Sequence, residues 1–305
     1  MRMSPLVLLA ATASTALAQA EAAPEPAPAK RSASASFTVY GDYTFQSDLD
    51  DGEGEVSVWR AGANLDMSFP VWERSSLGVS LRGERWGFDF NNATAFDSAD
   101  GEPWDDVNDF AALVSFSHQC TDRWSAIVGL GGESGYAQGA DFDDSLTGGG
   151  FVAASYKFND DLTAGLGVSV RTVLEDDAIV FPLLLLDWKI AEQWRLTTSP
   201  GVSRRLIGLA YSPNDQITIK FGGGYERLDF RLDDDAPAPE GVGRYQRIPV
   251  GVDVAWKFSS QWSVSVYGGA HVWQEYQLDD EDGNKITEDD AEIAPFLGAS
   301  LEWRF

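Results

Sequence analysis

The chain has 305 residues, a formal net charge of −26 and a calculated isoelectric point of about 4.2. This surplus of acidic residues excludes nucleic acid as a partner, because binding to a phosphate backbone needs a basic patch. Cys120 is the single cysteine, so a disulfide within the chain is also excluded.

The N-terminal segment predicts export. Arg2 precedes an apolar, alanine-rich run over residues 6–18, which ends in small residues. This order is typical of a secretory signal peptide, whereas a spanning helix needs about 20 apolar residues. We therefore expect residues 1–18 to be a signal peptide, with an N-terminal anchor helix as the alternative. Residues 19–33 are rich in alanine and proline and are predicted to be a periplasmic linker.

Residues 34–305 are predicted to form one unit made of β-strands. In residues 248–258 and 293–305 the side chains alternate between two faces, and one of the faces is largely apolar. A period of two residues indicates a β-strand. These segments are longer than the usual strand of about 5–6 residues in soluble proteins, and they are long enough to cross a bilayer at a tilt.

The number of such segments predicts about fourteen strands. Candidate strands start near 34, 55, 76, 107, 123, 146, 162, 178, 194, 205, 216, 244, 261 and 291. The pattern is weakest for the two strands near 194 and 205. Without that pair the count is twelve.

Short turns and long acidic loops alternate along the chain. Aromatic residues flank the short turns at 159–161, 191–193 and 259–260. Short turns at one end, long loops at the other and aromatic residues near the membrane interface are typical of outer-membrane barrels. The predicted fold is therefore all-β, a transmembrane antiparallel up-and-down β-barrel.

The C-terminal residues Leu301, Trp303 and Phe305, together with the signal sequence and the alternating strands, resemble those of Gram-negative outer-membrane β-barrel proteins. In those proteins the last strand ends in an aromatic residue that the barrel assembly machinery reads. The likeness covers residues 34–305 and is closest to uncharacterised porin-like barrel families. It implies Sec-type export, insertion into the bacterial outer membrane by that machinery, and contact with outer-membrane lipid and lipopolysaccharide. It implies neither a substrate nor an oligomeric state.

Acidic residues are concentrated in the predicted loops. Residues 47–55, 91–109, 133–145, 175–177, 229–240 and 275–292 hold 32 of the 48 acidic residues. One interpretation is a solvated surface, and the other is cation binding, because carboxylates are ligands for hard divalent ions. No cofactor is predicted beyond loosely bound Ca²⁺ or Mg²⁺. The candidate cation-binding loop contains Asp279, Asp280, Glu281, Asp282, Glu288, Asp289 and Asp290, and Asp282-Gly283 within it predicts a hairpin turn.

The inward phase of the strands predicts a lumen of mixed charge. The predicted lumen-lining residues are Arg60, Asp66, Arg82, Glu84, Arg171, Asp187, Lys189, Lys220, Glu226, Asp253, Lys257, Glu302 and Arg304. These residues form either a network of ion pairs that braces a closed barrel or a polar passage. Barrels of about eight strands are filled by side chains, whereas those of 16–18 strands hold a channel. A count of about fourteen therefore does not decide whether the lumen is open.

Segment 178–190 departs from the pattern of the other strands. It places Phe181, Leu183 and Leu185 in the lumen phase, and Pro182 predicts a bulge or a local break. Such a strand favours an apolar pocket or a side opening for a lipid-like molecule.

The two histidines give no support for catalysis. His118 has the lipid-facing phase, and His271 has the lumen phase with Arg247 and Pro249 as its predicted neighbours. Neither a serine nor a carboxylate is placed beside His271, so no catalytic residue and no enzyme are predicted.

We predict a passive channel or porin-like transporter for small solutes. The alternatives are a barrel for lipid-like or apolar molecules, a closed structural barrel with cation-binding surface loops and, least favoured, an outer-membrane enzyme.

The C-terminal signature predicts the effect of a deletion. Removing Phe305 should leave the protein degraded or aggregated in the periplasm, because the last strand would lack its aromatic end. Removing residues 21–30 is the control and should have little effect. Fractionation of cells measures both variants, and a normal membrane level of the Phe305 deletion would contradict the prediction.

Overall fold

The structure is a computed structural model and describes residues 32–50, 53–96, 103–198 and 207–305. The predicted signal peptide and all but residues 32–33 of the predicted linker lie outside the described residues.

The described residues contain sixteen β-strand segments and two short 3-10 turns, Thr94–Phe96 and Asp143–Ser145. The segments are β1 (Ser34–Asp48), β2 (Glu55–Trp72), β3 (Ser75–Asn91), β4 (Asp106–Gln119), β5 (Trp124–Ala137), β6 (Leu146–Lys157), β7 (Leu162–Val173), β8 (Asp176–Ala191), β9 (Trp194–Thr198), β10 (Ile207–Tyr211), β11 (Ile217–Gly223), β12 (Glu226–Arg231), β13 (Val242–Lys257), β14 (Trp262–Asp279), β15 (Lys285–Ala291) and β16 (Ala294–Arg304). No helix in the described ranges is long and apolar enough to cross a bilayer.

The segments close into one antiparallel barrel of fourteen strands. β11 and β12 pair with successive parts of β13, and β15 and β16 pair with successive parts of β14. Each of these two pairs is therefore one barrel strand in two segments. β1 pairs with β16 and completes the ring. The predicted all-β barrel of about fourteen strands is confirmed, and β9 and β10 account for the pair with the weakest pattern.

Alternation along β8 separates the outside of the barrel from the inside. Val180 is 62% exposed, whereas the next residue, Phe181, is 1% exposed. Leu183 and Leu185 are buried with Phe181, as their phase predicts. The predicted break at Pro182 is wrong, since β7 and β8 pair through this residue without a change of register. A proline fits within a strand where no ladder hydrogen bond needs its missing N–H.

β12 leaves the barrel wall and crosses the interior. One edge of β12 pairs with β13, and at its other edge Arg231 pairs in parallel with Tyr136 of β5. In the wall, β5 and β13 are separated by β6–β11. β12 therefore divides the interior at the long-loop end of the barrel into two compartments.

The compartment between β12 and β1–β4 is filled by an apolar cluster that we call the loop-end core. Its largest members are Trp86, Phe88, Phe90, Trp104, Phe230, Tyr245 and Tyr276. Phe88 lies within 6.5 Å of six other rings of the core. Side chains packed in this way exclude water from that half of the long-loop end.

Strands extend further into the predicted acidic loops than the sequence indicates. β4 begins at Asp106, β12 occupies residues 226–231, and β14 continues to Asp279. The last barrel strand was predicted to start near 291. It starts at Lys285, because it consists of β15 followed by β16. Several acidic residues that were assigned to loops thus belong to strands.

The loop-end core predicts a loss of stability when its central ring is removed. Phe88→Ala should lower the free energy of unfolding by about 3–5 kcal/mol, because it leaves a cavity among six aromatic rings. Val114→Ala, on the half-exposed outer surface of β4, is the matched control and should cost much less. Urea unfolding of the protein in lipid vesicles measures both changes. Equal losses for the two variants would show that the aromatic cluster does not stabilise the barrel.

Candidate functional site

A continuous network of ion pairs, which we call the arginine belt, crosses the barrel next to the loop-end core. It joins Arg60, Arg82, Arg171, Arg227, Arg244 and Arg247 to Asp42, Glu84, Asp109, Glu133, Glu226, Asp229 and Asp279. Except for Glu133 and Glu226, these side chains are at most 9% exposed. Buried charges are tolerated only when they are paired, so each member depends on its neighbours.

One part of the belt rests on the loop-end core. Arg60 lies 3.0 Å from Asp42, and Arg247 lies 2.6 Å from Glu226. Both guanidinium groups lie over the ring of Trp86, at 4.4 and 4.8 Å from its centroid. A tryptophan face attracts cations, so Trp86 connects the apolar core to the charged belt.

The opposite part of the belt is held by Glu133 of β5. Arg82 Nη2 donates to Asp109 at 2.7 Å and to Glu133 at 2.6 Å, and Arg171 Nη1 donates to the other oxygen of Glu133 at 3.1 Å. Ala111 is the register partner of both Arg82 and Glu133, and Gly149 is the partner of Arg171. These small residues leave room for the two arginines to reach the same carboxylate.

The belt includes Asp229, which lies on the face of β12 that points away from the loop-end core. Its carboxylate binds Arg227 and Arg244, both at 2.8 Å, and also Arg171. Arg231, two residues further along β12, donates to the carbonyl oxygens of Asp144 and Glu240 and to the carboxylate of Glu175. The compartment between β12 and β5–β8 is therefore polar, and we call it the polar corridor.

The predicted lumen-lining residues fall into two groups. Arg60, Arg82, Glu84, Arg171 and Glu226 belong to the arginine belt. Asp66, Asp187, Lys189, Lys220, Asp253, Lys257, Glu302 and Arg304 lie on the parts of their strands nearer the short turns. The interior of this half, which we call the vestibule, is lined on β2 and β13 by partly exposed side chains such as Asp66 and Asp253. On β4–β8 it is lined by a buried apolar cluster. Within the second group, Arg304 pairs with Glu302 at 2.7 Å.

More than half of the belt is absent from the predicted lumen lining. Asp109, Glu133, Asp229 and Asp279 were assigned to solvated loops, and that assignment is wrong because their strands carry them inside to buried arginines. Extending the alternation of β4 backwards from Leu113 through Ala111 would have placed Asp109 inside. Arg247 has the inward phase of β13 and was predicted to neighbour His271, although its ion pairs were not. No comparable signal exists for Arg227 and Arg244, since both pair with Asp229 on β12, which leaves the wall.

The two histidines occupy the predicted phases. His271 pairs with Pro249, and its Nε2 lies 3.4 Å from Arg247 and 3.1 Å from Thr44. Its Nδ1 has no hydrogen-bond partner among the described residues. His118 lies on the exposed phase of β4 and contacts the buried hydroxyl of Ser75 at 2.9 Å. Neither contact provides an accessible nucleophile with an acid that orients its base.

The candidate cation-binding loop forms the hairpin between β14 and β15. Asp280 accepts backbone N–H bonds from Asp282 and Asn284, and Gly283 has a φ of +80° that favours glycine. The predicted hairpin turn is confirmed. Hydrogen bonds from Asn284 lower the pKa of Asp280 below its ordinary value, so that Asp280 remains ionised.

The acidic side chains of the hairpin lie in two environments. Asp279 and Asp289 are buried, whereas Glu281 and Asp282 are exposed and Asp280, Glu288 and Asp290 are partly exposed. Among the described residues, no group of three or more His, Cys, Asp or Glu side chains is arranged to hold a metal ion. Binding of Ca²⁺ or Mg²⁺ at this hairpin stays a prediction.

Comparison with solved structures finds outer-membrane barrels at low similarity. A Pseudomonas aeruginosa FadL homologue is 14% identical with a TM-score of 0.46, and 89% of this chain and 90% of that chain are covered. The COG4313 outer membrane channel from Pseudomonas putida F1 is 11% identical with a TM-score of 0.46, and the coverage is 93% and 100%. The KdgM porin is 11% identical with a TM-score of 0.36, and the coverage is 88% and 99%. These values are too low to carry an argument about function.

No curated protein matches the chain. A protein-family model matches residues 105–304, which include β5, β12 and most of the arginine belt. The chain belongs to the family described as "Domain of unknown function (DUF6268)".

Proposed function

We propose that the protein is an integral outer-membrane β-barrel of the channel type, with a pathway for small solutes that is closed at the arginine belt in this conformation. The observation that carries the proposal is the continuity of the belt between a partly exposed vestibule and a polar corridor. Ion pairs can separate and re-form, whereas a barrel closed only by packed apolar side chains has no such polar path.

The vestibule supports entry of water and small polar solutes from the short-turn end. Its predicted lining includes carboxylates and amines of both signs, and Lys257 and Lys220 are exposed. A lining of mixed charge does not impose the selectivity of a ring of one sign. We therefore assign charge selectivity to the belt rather than to the vestibule.

The polar corridor supports an exit on one side of β12. The face of β12 that carries Leu228 and Phe230 packs into the loop-end core, while the alternate face carries Asp229 and Arg231. A path along the second face meets ion pairs and hydrogen bonds. A path along the first face would have to open a cluster of aromatic rings.

The setting proposed for this barrel is the bacterial outer membrane. Support comes from the apolar exterior of a closed antiparallel barrel, with residues such as Leu130 and Leu166 about 70% exposed. Lipopolysaccharide and outer-membrane lipid are the proposed partners of this surface, and the barrel assembly machinery is the proposed partner during insertion.

Transport of lipid-like molecules is the second candidate. An apolar cluster of Leu113, Ile127, Phe151, Ala153, Leu183 and Leu185 lines the inner side of β4–β8. These side chains bury one another, so this candidate requires the cluster to separate. The arginine belt favours a polar solute.

The proposed closure at the belt predicts a gain of conductance. Arg171→Gln combined with Asp229→Asn should raise the single-channel conductance in planar bilayers severalfold, because it replaces a central ion pair by neutral groups and the glutamine is shorter than the arginine. Combining the two changes removes both members of this pair. Arg244 keeps Asp279, whereas Arg227 loses Asp229, and heat-dependent mobility in detergent gels shows whether the variant withstands this loss of about 3–5 kcal/mol.

The matched control is Lys157→Gln combined with Asp160→Asn, which removes a surface ion pair of 2.7 Å at a short turn. This control should conduct as the unaltered protein does. If the belt variant folds into the barrel and is as closed as the control, closure at the belt is excluded.

For the acidic hairpin we propose weak binding of divalent cations that bridge its carboxylates to lipopolysaccharide phosphates. Exposed carboxylates that repel one another are supporting evidence, because a shared cation relieves that repulsion. Asp279 and Asp289 are left out of this proposed site, since both are buried in the barrel.

Calcium titration of the melting temperature tests the cation proposal. Replacing Asp280, Glu281, Asp282, Glu288, Asp290 and Glu292 by Asn or Gln should reduce the stabilisation that millimolar calcium gives, since linkage depends on binding to the folded state. The same number of substitutions in the acidic segments 48–55 and 141–144 provides the control. An unchanged calcium dependence in the hairpin variant would leave the hairpin as a solvated surface only.

A further inference from the structure

Glu133 is the most accessible member of the arginine belt. Its side chain is 22% exposed, compared with 3% for Arg82 and 9% for Arg171, the two arginines that it joins. It reaches each arginine through a different carboxylate oxygen. Rotation of this single side chain away from the two arginines would break both contacts.

The two arginines joined by Glu133 have hydrogen-bond donors that no described residue satisfies. Arg82 Nε and Nη1 and Arg171 Nε are buried and have no hydrogen-bond acceptor among the described residues. An unsatisfied buried donor costs about 1–3 kcal/mol, and more when the group is charged. The fork of N–H groups on arginine matches the oxygens of carboxylates and phosphates.

We infer that an oxyanion site lies between Arg82 and Arg171, and that a solute carrying a carboxylate or phosphate group enters the polar corridor by taking the place of Glu133. This inference rests on the proposed channel function and adds the class of solute. One anion replaces another at the site, so the two arginines keep a counter-ion after Glu133 has turned away. Asp109 remains on Arg82 throughout.

Several oxygens on the solute give it an advantage over Glu133. The Glu133 carboxylate uses one oxygen for each arginine, whereas a phosphate group has a further oxygen for Nη1 of Arg82, which shares a fork with Nη2. Beyond Arg171, the corridor continues through Arg227, Arg244 and Arg231. An anion that leaves the site therefore meets further guanidinium groups along β12.

Ion selectivity in planar bilayers tests the inference, with the full-length protein and inorganic phosphate as the probe. Glu133→Gln should raise the conductance in potassium chloride severalfold and should favour chloride over potassium, because both arginines lose their shared counter-ion. Millimolar phosphate should then reduce the chloride current severalfold by occupying the site. Adding Arg171→Gln to Glu133→Gln should abolish most of the phosphate effect.

Glu192→Gln, at the short turn between β8 and β9, is the matched control and should change neither property. Heat-dependent mobility in detergent gels reports whether each variant has folded. If Glu133→Gln fails to fold, Glu133→Asp is the second variant. Its shorter chain keeps the charge but cannot bridge both arginines, so it should raise the conductance less than expected for Glu133→Gln and should still be blocked by millimolar phosphate, and adding Arg171→Gln should abolish that block.

Failure of the oxyanion site can be distinguished from failure of the proposed channel function. A Glu133 variant that is open without preference for chloride and insensitive to phosphate would overturn the oxyanion site, whereas the conductance of the Arg171→Gln, Asp229→Asn variant would still support closure at the belt. If that variant also stays closed, the channel function itself fails.

Discussion

The ion pairs of Asp229 with three arginines are the interaction on which the interior of this barrel depends. Asp229 lies on β12, the segment that leaves the wall and pairs with β5 across the interior. One face of β12 can be buried against aromatic rings, but the other carries charged side chains that need partners away from water. Arg171 of β7 and Arg244 of β13 provide them, and they connect the crossing strand to both sides of the barrel.

This arrangement explains why one compartment at the long-loop end is apolar and the other is polar. Leu228, Phe230 and Tyr245 face the loop-end core, whereas the alternate residues of the same strands, Asp229 and Arg244, face the polar corridor. The two-residue period that divides lipid from lumen in the wall thus divides apolar from polar space inside the barrel. A single crossing strand is enough to produce both the loop-end core and the polar corridor.

The arginine belt also has a consequence for the proposed channel function. Compared with well-packed apolar residues, a buried ion pair contributes little net stability. Removing one of its two partners is nevertheless costly. The loop-end core stabilises the barrel by packing, whereas the ion pairs of the belt can separate and re-form. The balance of six arginines and seven carboxylates means that local exchange of an anion perturbs the belt less than removal of one.

The fold was largely predictable from the sequence, because side chains in a strand alternate between two faces and a closed barrel needs each strand to repeat that alternation. The sequence by itself predicted about fourteen strands, with twelve as the alternative. It also determined the outward phase of residues such as Val180, the inward phase of Arg60 and Arg171, and the place of His271 near Arg247 and Pro249. It could not determine the path of β12, since residues 226–231 alternate equally well in the wall or across the lumen. Only the tertiary structure decided that Asp109, Glu133 and Asp229 are counter-ions of buried arginines rather than surface charges, because those arginines lie on other strands and pairing through space has no signature in local periodicity.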